Sequence, residues 1–324
     1  MAFHPTLSKS GRIIFWPLIK ICEFLGNHFP ETLLKIRYRY VFKKPLNLKN
    51  PQDLNEKILW AKLYSDTTQW TELADKRKVR DYVEKIGLGD TLVKLYATWY
   101  RKEDVNFDEL PETFIIKANN GDGKGTNKII RKSELTAEKK AEYIAMIGEW
   151  LSRKNIGALH AEPHYKNMKP CVIAEEVLPL EPGATSLTDY KMWCFNGKCY
   201  YTWICNDRSA GGNSAHVMTY DMDWNAHPEF SVFNSDYLRG EIVPKPKNFE
   251  RMVEIAERLS KGFPELRVDL YNIDGKIYFG ELTFSTSNKI LVNYPDEIIQ
   301  KWGNEWTLPK KLNMKWRDYY KLRI

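Results

Sequence analysis

The chain has 324 residues with 49 Lys+Arg against 42 Asp+Glu, a formal charge of +7. The excess sits at the ends: residues 1–45 carry eight basic side chains against Glu23 and Glu31, and residues 306–324 carry six against Asp318. The body between them is therefore acidic, which argues against a nucleic-acid channel. Apolar residues make up 43% of the chain, enough for a packed core and too many for a disordered class. The best apolar run, Ile13 to Ile19, contains Pro17 and stops at Lys20, short of a membrane span and without a small-residue cleavage site after it. Five cysteines with no Cys-x-x-Cys spacing suggest a reducing, cytoplasmic setting.

In chain order, residues 1–45 read as basic, aromatic helices, in which Ile13, Ile14, Phe15, Leu18, Ile21, Phe24 and Leu25 form a broad apolar face. That face suits packing on the body or an interfacial membrane contact. Two helices are predicted next, Leu54–Tyr64 and Thr71–Ile86, the second closed by Gly87. From Phe114 the period changes to that of strands: Phe114–Ala118, a glycine-rich loop from Asn119 to Asn127, then Lys128–Arg131. Thr136 should cap a helix running to about Lys154, and Cys171–Ala174 reads as a strand entering Glu175-Glu176-Val177-Leu178. Residues 189–234 should be largely sheet, with Cys194, Cys199 and Cys205 as packing residues on strands. An amphipathic helix over 248–261 should feed a strand pair at 266–272 and 276–284.

The glycine loop, with Gly121, Gly123 and Gly125, fits neither a Walker A nor a dinucleotide fingerprint, because its glycines alternate and it joins two strands. Such a loop either lays backbone N–H groups over phosphates, with Lys117 on the leading strand as a point charge, or is a plain hairpin connection.

The strand pair is the most informative segment. The run Asn272-Ile273-Asp274-Gly275 has the pattern of a three-residue loop with a bulge at Gly275, which predicts pairing of Asn272 with Lys276, Asp269 with Phe279 and Arg267 with Glu281. Arg267, Asp269, Tyr271, Ile277, Phe279, Glu281 and Thr283 would then share one face, and Val268, Leu270, Tyr278, Leu282 and Phe284 the core face. A two-residue turn would instead put Asp269 opposite Gly280. The carboxylates Asp269 and Glu281 suit a hard cation such as Mg²⁺, the alternative being an Arg267–Glu281 salt bridge with Asp269 solvated. Paired acids also serve glycosidases, but the adjacent Arg267 and a separate phosphate-type loop speak against that chemistry.

The order of these motifs resembles the ATP-grasp superfamily, in particular its TupA-like branch linked to bacterial surface polysaccharide synthesis. The similarity runs over about residues 45–300: Leu46 to Pro51, Asn55-Glu56-Lys57, Asp75-Lys76 with Arg80, Phe114 to Lys117, Ile173 to Glu176, Asp189-Tyr190-Lys191 with Cys194 to Gly197, Tyr220-Asp221 with Trp224, and the strand pair from Arg267 to Phe284. The resemblance implies an α+β ATP-grasp fold: a helical extension (1–45), an N-terminal region (46–112), a lid subdomain (113–178), a metal and catalytic subdomain (179–305) and a basic tail (306–324). ATP and Mg²⁺, as two ions, are the implied cofactors. Lys76 and Lys117 would contact phosphates beneath the glycine loop, and Glu175, Glu176 and Val177 would form the adenine hinge. Arg267 would steady the transferring group, Lys191 would approach the γ-phosphate or acceptor, and Asp269, Glu281 and Thr283 would hold metal. Thr283 stands where the superfamily usually has Asn, and Ser285-Thr286-Ser287-Asn288 replaces an expected glycine-containing acceptor loop.

The implied reaction is ATP-dependent carboxylate–amine ligation through an acyl phosphate. The polysaccharide link suggests a uronic acid, in a nucleotide sugar or glycan, joined to an amino acid or amino alcohol. A sugar kinase on the same fold and a non-catalytic glycan-binding protein are the competing classes. Arg208, His216 and Ser285 are the candidate substrate contacts, since cations and nearby aromatic faces suit charged sugars. His160 and His164 have metal-like spacing but lie in a turn beside Pro163, which favours packing over zinc. The basic ends suggest contact with an anionic membrane, a partner enzyme or a polyanionic glycan.

Overall fold

The computed structural model describes residues 9–121, 125–154, 156–208, 214–285, 291 and 294–312. Helices α1 (Lys9–His28) and α2 (Pro30–Phe42) lead into α3 (Leu54–Tyr64), then the short α4 (Trp70–Leu73) and α5 (Val79–Lys85). Strands β1 (Leu95–Trp99), β2 (Thr113–Ala118) and β3 (Asn127–Arg131) precede α6 (Ala137–Ser152), α7 (Pro163–Lys166) and β4 (Val172–Glu175). The second half holds β5 (Asp189–Phe195), β6 (Lys198–Asn206), β7 (Ala215–Asp221), β8 (Tyr237–Arg239), α8 (Phe249–Ser260), β9 (Glu265–Ile273), β10 (Lys276–Thr283) and α9 (Asp296–Asn304).

Two sheets result. The smaller has the order β1-β4-β2-β3, with its three pairings antiparallel. Its apolar side packs on α6 through Phe114, Ile116, Ile130, Ile147 and Trp150. The larger has the order β10-β9-β5-β6-β7-β8, antiparallel except for the β7–β8 pair. One of its faces, carrying Met192, Cys194, Val268 and Leu270, shares a core with Met252, Ile255 and Leu259 of α8. The apolar stripe of α8 follows helical spacing, so it is the segment whose role was plainest in the sequence. Cys194, Cys199 and Cys205 are buried free thiols, as packing residues should be.

Helix α3 acts as a hub because each residue of its Asn55-Glu56-Lys57 motif holds a different segment. Asp53 caps the helix by accepting from the Glu56 amide, and the Glu56 carboxylate accepts in return from the amides of Gln52 and Asn47. Asn55 accepts from the Leu291 amide at 2.7 Å. Lys57 donates to the carbonyls of Gly303 and Trp306, satisfying the C-terminal end of α9.

Four features differ from the sequence expectation. The predicted helix over 71–86 breaks into α4 and α5, because Asp75 uses its buried carboxylate to accept from the amides of Arg77 and Lys78 and turns the chain. Within the region 189–234 the last strand ends at Asp221, where that side chain accepts from the amides of Asp223 and Asn225 and closes a turn with Trp224 at positive φ. Strand β1 and helix α9 were not anticipated.

The fourth difference concerns the hairpin. The β9–β10 turn has two residues, Asp274 and Gly275, at φ 49° and 90°, and pairs Ile273 with Lys276. That register places Tyr271 opposite Tyr278 and moves Ile277 and Phe279 onto the core face. The bulge lies at Gly280 instead of Gly275, and the extra residue there brings Glu281 opposite Asp269 and Thr283 opposite Arg267. Arg267, Asp269, Glu281 and Thr283 thus share a face by a different route. A Cβ at residue 280 would stand 2.9 Å from the Asp269 carbonyl oxygen, so only glycine fits without displacing backbone. Gly280→Val should cost ~1–3 kcal/mol of stability through overpacking, read as a lowered unfolding midpoint in urea.

Candidate active site

Alternation along β5 puts Asp189 and Lys191 on one side of the strand, and the pairing with β9 sets them opposite Tyr271 and Asp269. A strip of charge therefore crosses β10, β9 and β5. Lys191 Nζ donates to Asp269 Oδ2 at 2.6 Å and lies 3.7 Å from Asp189. Arg267 grips the same carboxylate with Nε at 2.6 Å and Nη2 at 2.7 Å, and also donates to Thr283 Oγ1 at 2.9 Å. Its Nη2 is 3.6 Å from Glu281 Oε1.

Burial alone would raise the Asp269 carboxyl, but Arg267 and Lys191 more than offset it and hold it at about 2. Glu281 is likewise held low: burial and the Asp269 charge raise it, and Lys76, Arg267 and Lys191 together more than offset them. Lys191 moves up despite burial, because Asp189 and Asp269 face it. All these groups are ionised at neutral pH, so the strip offers fixed charge and no proton donor or acceptor poised near 7.

Lys76 joins this strip to the smaller sheet. Its ammonium donates to Glu281 Oε2 at 3.2 Å and to the Gly121 carbonyl at 3.1 Å. Asp75 and Asn119 set its position: the Asn119 side chain donates to Asp75 at 2.7 Å, its carbonyl accepts from the Lys76 amide, and its Oδ1 accepts from the Cys171 amide. The glycine loop leaves from that point. Gly121 is packed so tightly on Thr126 that a Cβ would lie 2.4 Å from the hydroxyl, whereas Gly125, at φ 78°, faces open space. Gly123 lies outside the described residues.

The hinge splits its two acids. Glu175 is buried, with Arg80 on Oε1 at 2.8 Å and Lys117 on Oε2 at 2.9 Å, so it sets the lysine and has both oxygens engaged. Glu176 is exposed and its amide donates to the Lys94 carbonyl, with Val177 half-buried beside it. Glu176 is thus the exposed acid of the pair.

The substrate candidates scatter. Arg208 is half-exposed and donates to Asp189 at 2.8 Å, which places it at the end of the charged strip. His216 lies on β7 across from Asn206 and 3.5 Å from Asp207, away from the carboxylates in the strand order. Ser285 is buried, and its hydroxyl donates to Glu162 at 2.9 Å. Ser285 and Leu291 thus fix the two ends of the segment after β10, while Thr286, Ser287 and Asn288 lie outside the described residues. His164 packs against Trp70, Tyr165 and Phe284, and His160 meets Arg37. Among the described residues no group of three or more His, Cys, Asp or Glu is placed to hold a metal.

Sequence reasoning named Asp189 and Arg80 among the family motifs and Asn119 at the start of the glycine loop, but gave none of them a role. Asp189 was visible as the i−2 partner of Lys191 on one strand face. Nothing local marked Arg80 or Asn119, whose partners lie 95 and 44 positions away.

Paired carboxylates on one sheet, linked through Lys76 to the start of the glycine-rich segment on a second sheet that carries Lys117, agree with the layout of an ATP-grasp protein. Residues 56–306 match the TupA-like ATP-grasp family, and the chain belongs to it. Similar solved structures include D-alanine–D-alanine ligase from Bacillus anthracis complexed with ATP, at 16% identity over 66% of this chain and 55% of that one, TM-score 0.39. The Helicobacter pylori D-alanine–D-alanine ligase is 12% identical over 74% and 60%, TM-score 0.40. The ATP-grasp ligase PsnB, complexed with a minimal precursor, Mg and ADP, is 12% identical over 83% and 66%, TM-score 0.38. This chain spans 55% of the length of the first of these. No curated protein matches it.

The two carboxylates should respond differently to neutralisation. Asp269→Asn strands two buried cations and should cost ~3–5 kcal/mol, whereas Glu281→Gln, at a half-exposed side chain, should cost under about 1 kcal/mol in urea unfolding. Because the folded pKa of Asp269 lies below its unfolded value of ~3.9, its contribution to stability is complete above that pH. It is lost as pH falls toward 2, and a stability–pH curve for Asp269→Asn should be flatter across that window.

Proposed function

We propose that the protein is an ATP-dependent carboxylate–amine ligase acting on a uronic acid, in a nucleotide sugar or surface glycan, with a small amino acid or amino alcohol as the amine. The observation that carries this reading is the position of Lys76. One ammonium touches both the base of the glycine loop and Glu281, so the place where that loop would cover phosphates is also where the carboxylate strip begins.

The donor set suits Mg²⁺. It is all oxygen, it includes the half-exposed Glu281, and it offers too few protein ligands for a closed cage, the pattern of an ion that keeps waters and takes phosphate oxygens. Glu281 and Asp269 would hold such ions, with Thr283 as a neutral oxygen beside them. When bound, Mg²⁺ supplies charge neutralisation for the phosphates. Asp269 already has both oxygens engaged by Arg267 and Lys191, so metal at Asp269 competes with the Lys191 ammonium for one of them.

Lys76 and Lys117 then bind the phosphate chain as point charges, Lys117 oriented by Glu175 and Arg80. Glu176 and the backbone near Val177 take the nucleoside end. A substrate carboxylate oxygen attacks the γ-phosphorus, the bond to the β-phosphate oxygen breaks, and ADP leaves. Arg267, held rigid by Asp269 and Thr283, presents guanidinium N–H groups to the charge that develops on the transferring phosphoryl and on the later oxyanion. The amine attacks the acyl carbon, inorganic phosphate departs, and the surplus amine proton is released to solvent. Arg208, which bonds Asp189 at the end of the strip, would meet an anionic group of the substrate.

Hydroxylamine trapping tests this reading. With ATP, Mg²⁺ and a nucleotide uronate the protein should yield a hydroxamate, and Lys76→Met and Arg267→Met should each lower turnover by ~10²-fold or more. ADP release without hydroxamate would replace the ligase with a kinase, and wild-type turnover in Glu281→Gln at saturating Mg²⁺ would remove the metal assignment.

A further inference from the structure

Helices α1 and α2 are held by one side only. Leu33, Leu34 and Tyr38 of α2 pack with Leu59 and Leu63 of α3, and Gly26 of α1 lies against the Ala158 carbonyl, where a Cβ would clash. The opposite side is apolar and open to solvent: Trp16, Ile21, Phe24, Phe29, Ile36 and Tyr40 are each more than half exposed. At 100° per residue, Trp16, Ile21 and Phe24 fall on a single arc of α1, and Phe29, Ile36 and Tyr40 on a single arc of α2. The two arcs join where the Phe24 and Phe29 rings meet at 6.0 Å. The sequence-level choice between packing on the body and an exposed interface thus divides: the body takes one side of these helices and leaves the aromatic side outside.

The same surface is basic. Lys20 and Lys35 are paired with Glu23 and Glu31, while Arg39 and Lys43 stand exposed beside Tyr40 with no acid between them. The other basic end of the chain arrives at this place too. The Leu312 amide donates to the Tyr64 carbonyl, the Lys311 ammonium sits 4.3 Å from the Tyr64 ring centroid, and the Tyr64 hydroxyl donates to Glu31 of α2.

We propose that the outer face of α1 and α2 docks on an anionic lipid bilayer and lies in its interface. Among the described residues no helix is long and apolar enough to cross a membrane, so the contact is peripheral. Large apolar side chains interleaved with cations match both layers of such a surface, acyl boundary and anionic headgroup. A soluble polyanion would use the cations and gain nothing from the aromatic rings. A second copy meeting this face across a two-fold axis would bring like charges together.

Co-sedimentation of the full chain with vesicles tests the proposal. It should bind phosphatidylcholine vesicles containing phosphatidylglycerol, bind phosphatidylcholine alone far less, and release as salt rises. Phe24→Glu with Ile36→Glu should abolish sedimentation, and Arg39→Gln with Lys43→Gln should weaken it by about 5-fold for each charge removed. Far-UV circular dichroism and thermal unfolding close to wild type in both pairs would attribute these losses to the surface. Three outcomes would overturn the proposal: equal binding to neutral and anionic vesicles, binding of polygalacturonate that survives Phe24→Glu with Ile36→Glu, or a wild-type dimer that the same pair converts to monomer.

Discussion

A buried carboxylate with two cations on its oxygens is the interaction on which the rest of this protein is arranged. Asp269 cannot stay ionised inside the protein unless something answers its charge, and Arg267 and Lys191 do so from its own strand and from β5. That answer fixes the register of three neighbouring strands, because a slip of one residue on any of them would turn its charged group into the α8 core. It also keeps Arg267 from swinging, so the guanidinium is held in place before any substrate arrives. Buried ion pairs add little net stability over apolar packing. Their worth here lies in geometry and in a site that stays charged across the physiological pH range.

Around that centre, segments distant in the chain are joined by single side chains that each hold two partners or more. Lys76 spans from the glycine loop to Glu281, and Glu175 ties the strand lysine Lys117 to Arg80 of α5. Helix α3 does the same on the other side, with Asn55 and Lys57 fastening Leu291 and the end of α9. The structural motifs of the family are thus largely joints between segments distant in the chain. The more exposed acid of the hinge is the neighbour of such a joint, Glu176 next to the buried Glu175.

Much of this was legible in the sequence wherever a local period or a cap decided the outcome. Helix α3 was bounded correctly because Asp53 and Glu56 cap it, and α8 because its apolar stripe is unbroken. The hairpin shows the limit. Its turn was misread because Asn272 to Gly275 satisfies the sequence preferences of two turn types, and the bulge that restores the face sits at Gly280, where nothing in the local pattern marks it. Asp75 broke a helix that propensity favours, since its amide-capping role needs Asn119 to bury it. The role of Glu175 was likewise invisible, because Arg80 reaches it only in the folded chain. Nor did the apolar residues of α1 reveal that the body covers just one of its sides.

The segment after β10 has a further consequence. Its start is fixed by Ser285 on Glu162 and its end by the Leu291 backbone on Asn55, so neither anchor depends on the identity of the residues between them. Exchange of the Leu291 side chain can therefore leave the Asn55 bond standing, whereas Ser285→Ala would remove the bond to Glu162 outright: one anchor tolerates substitution and the other does not.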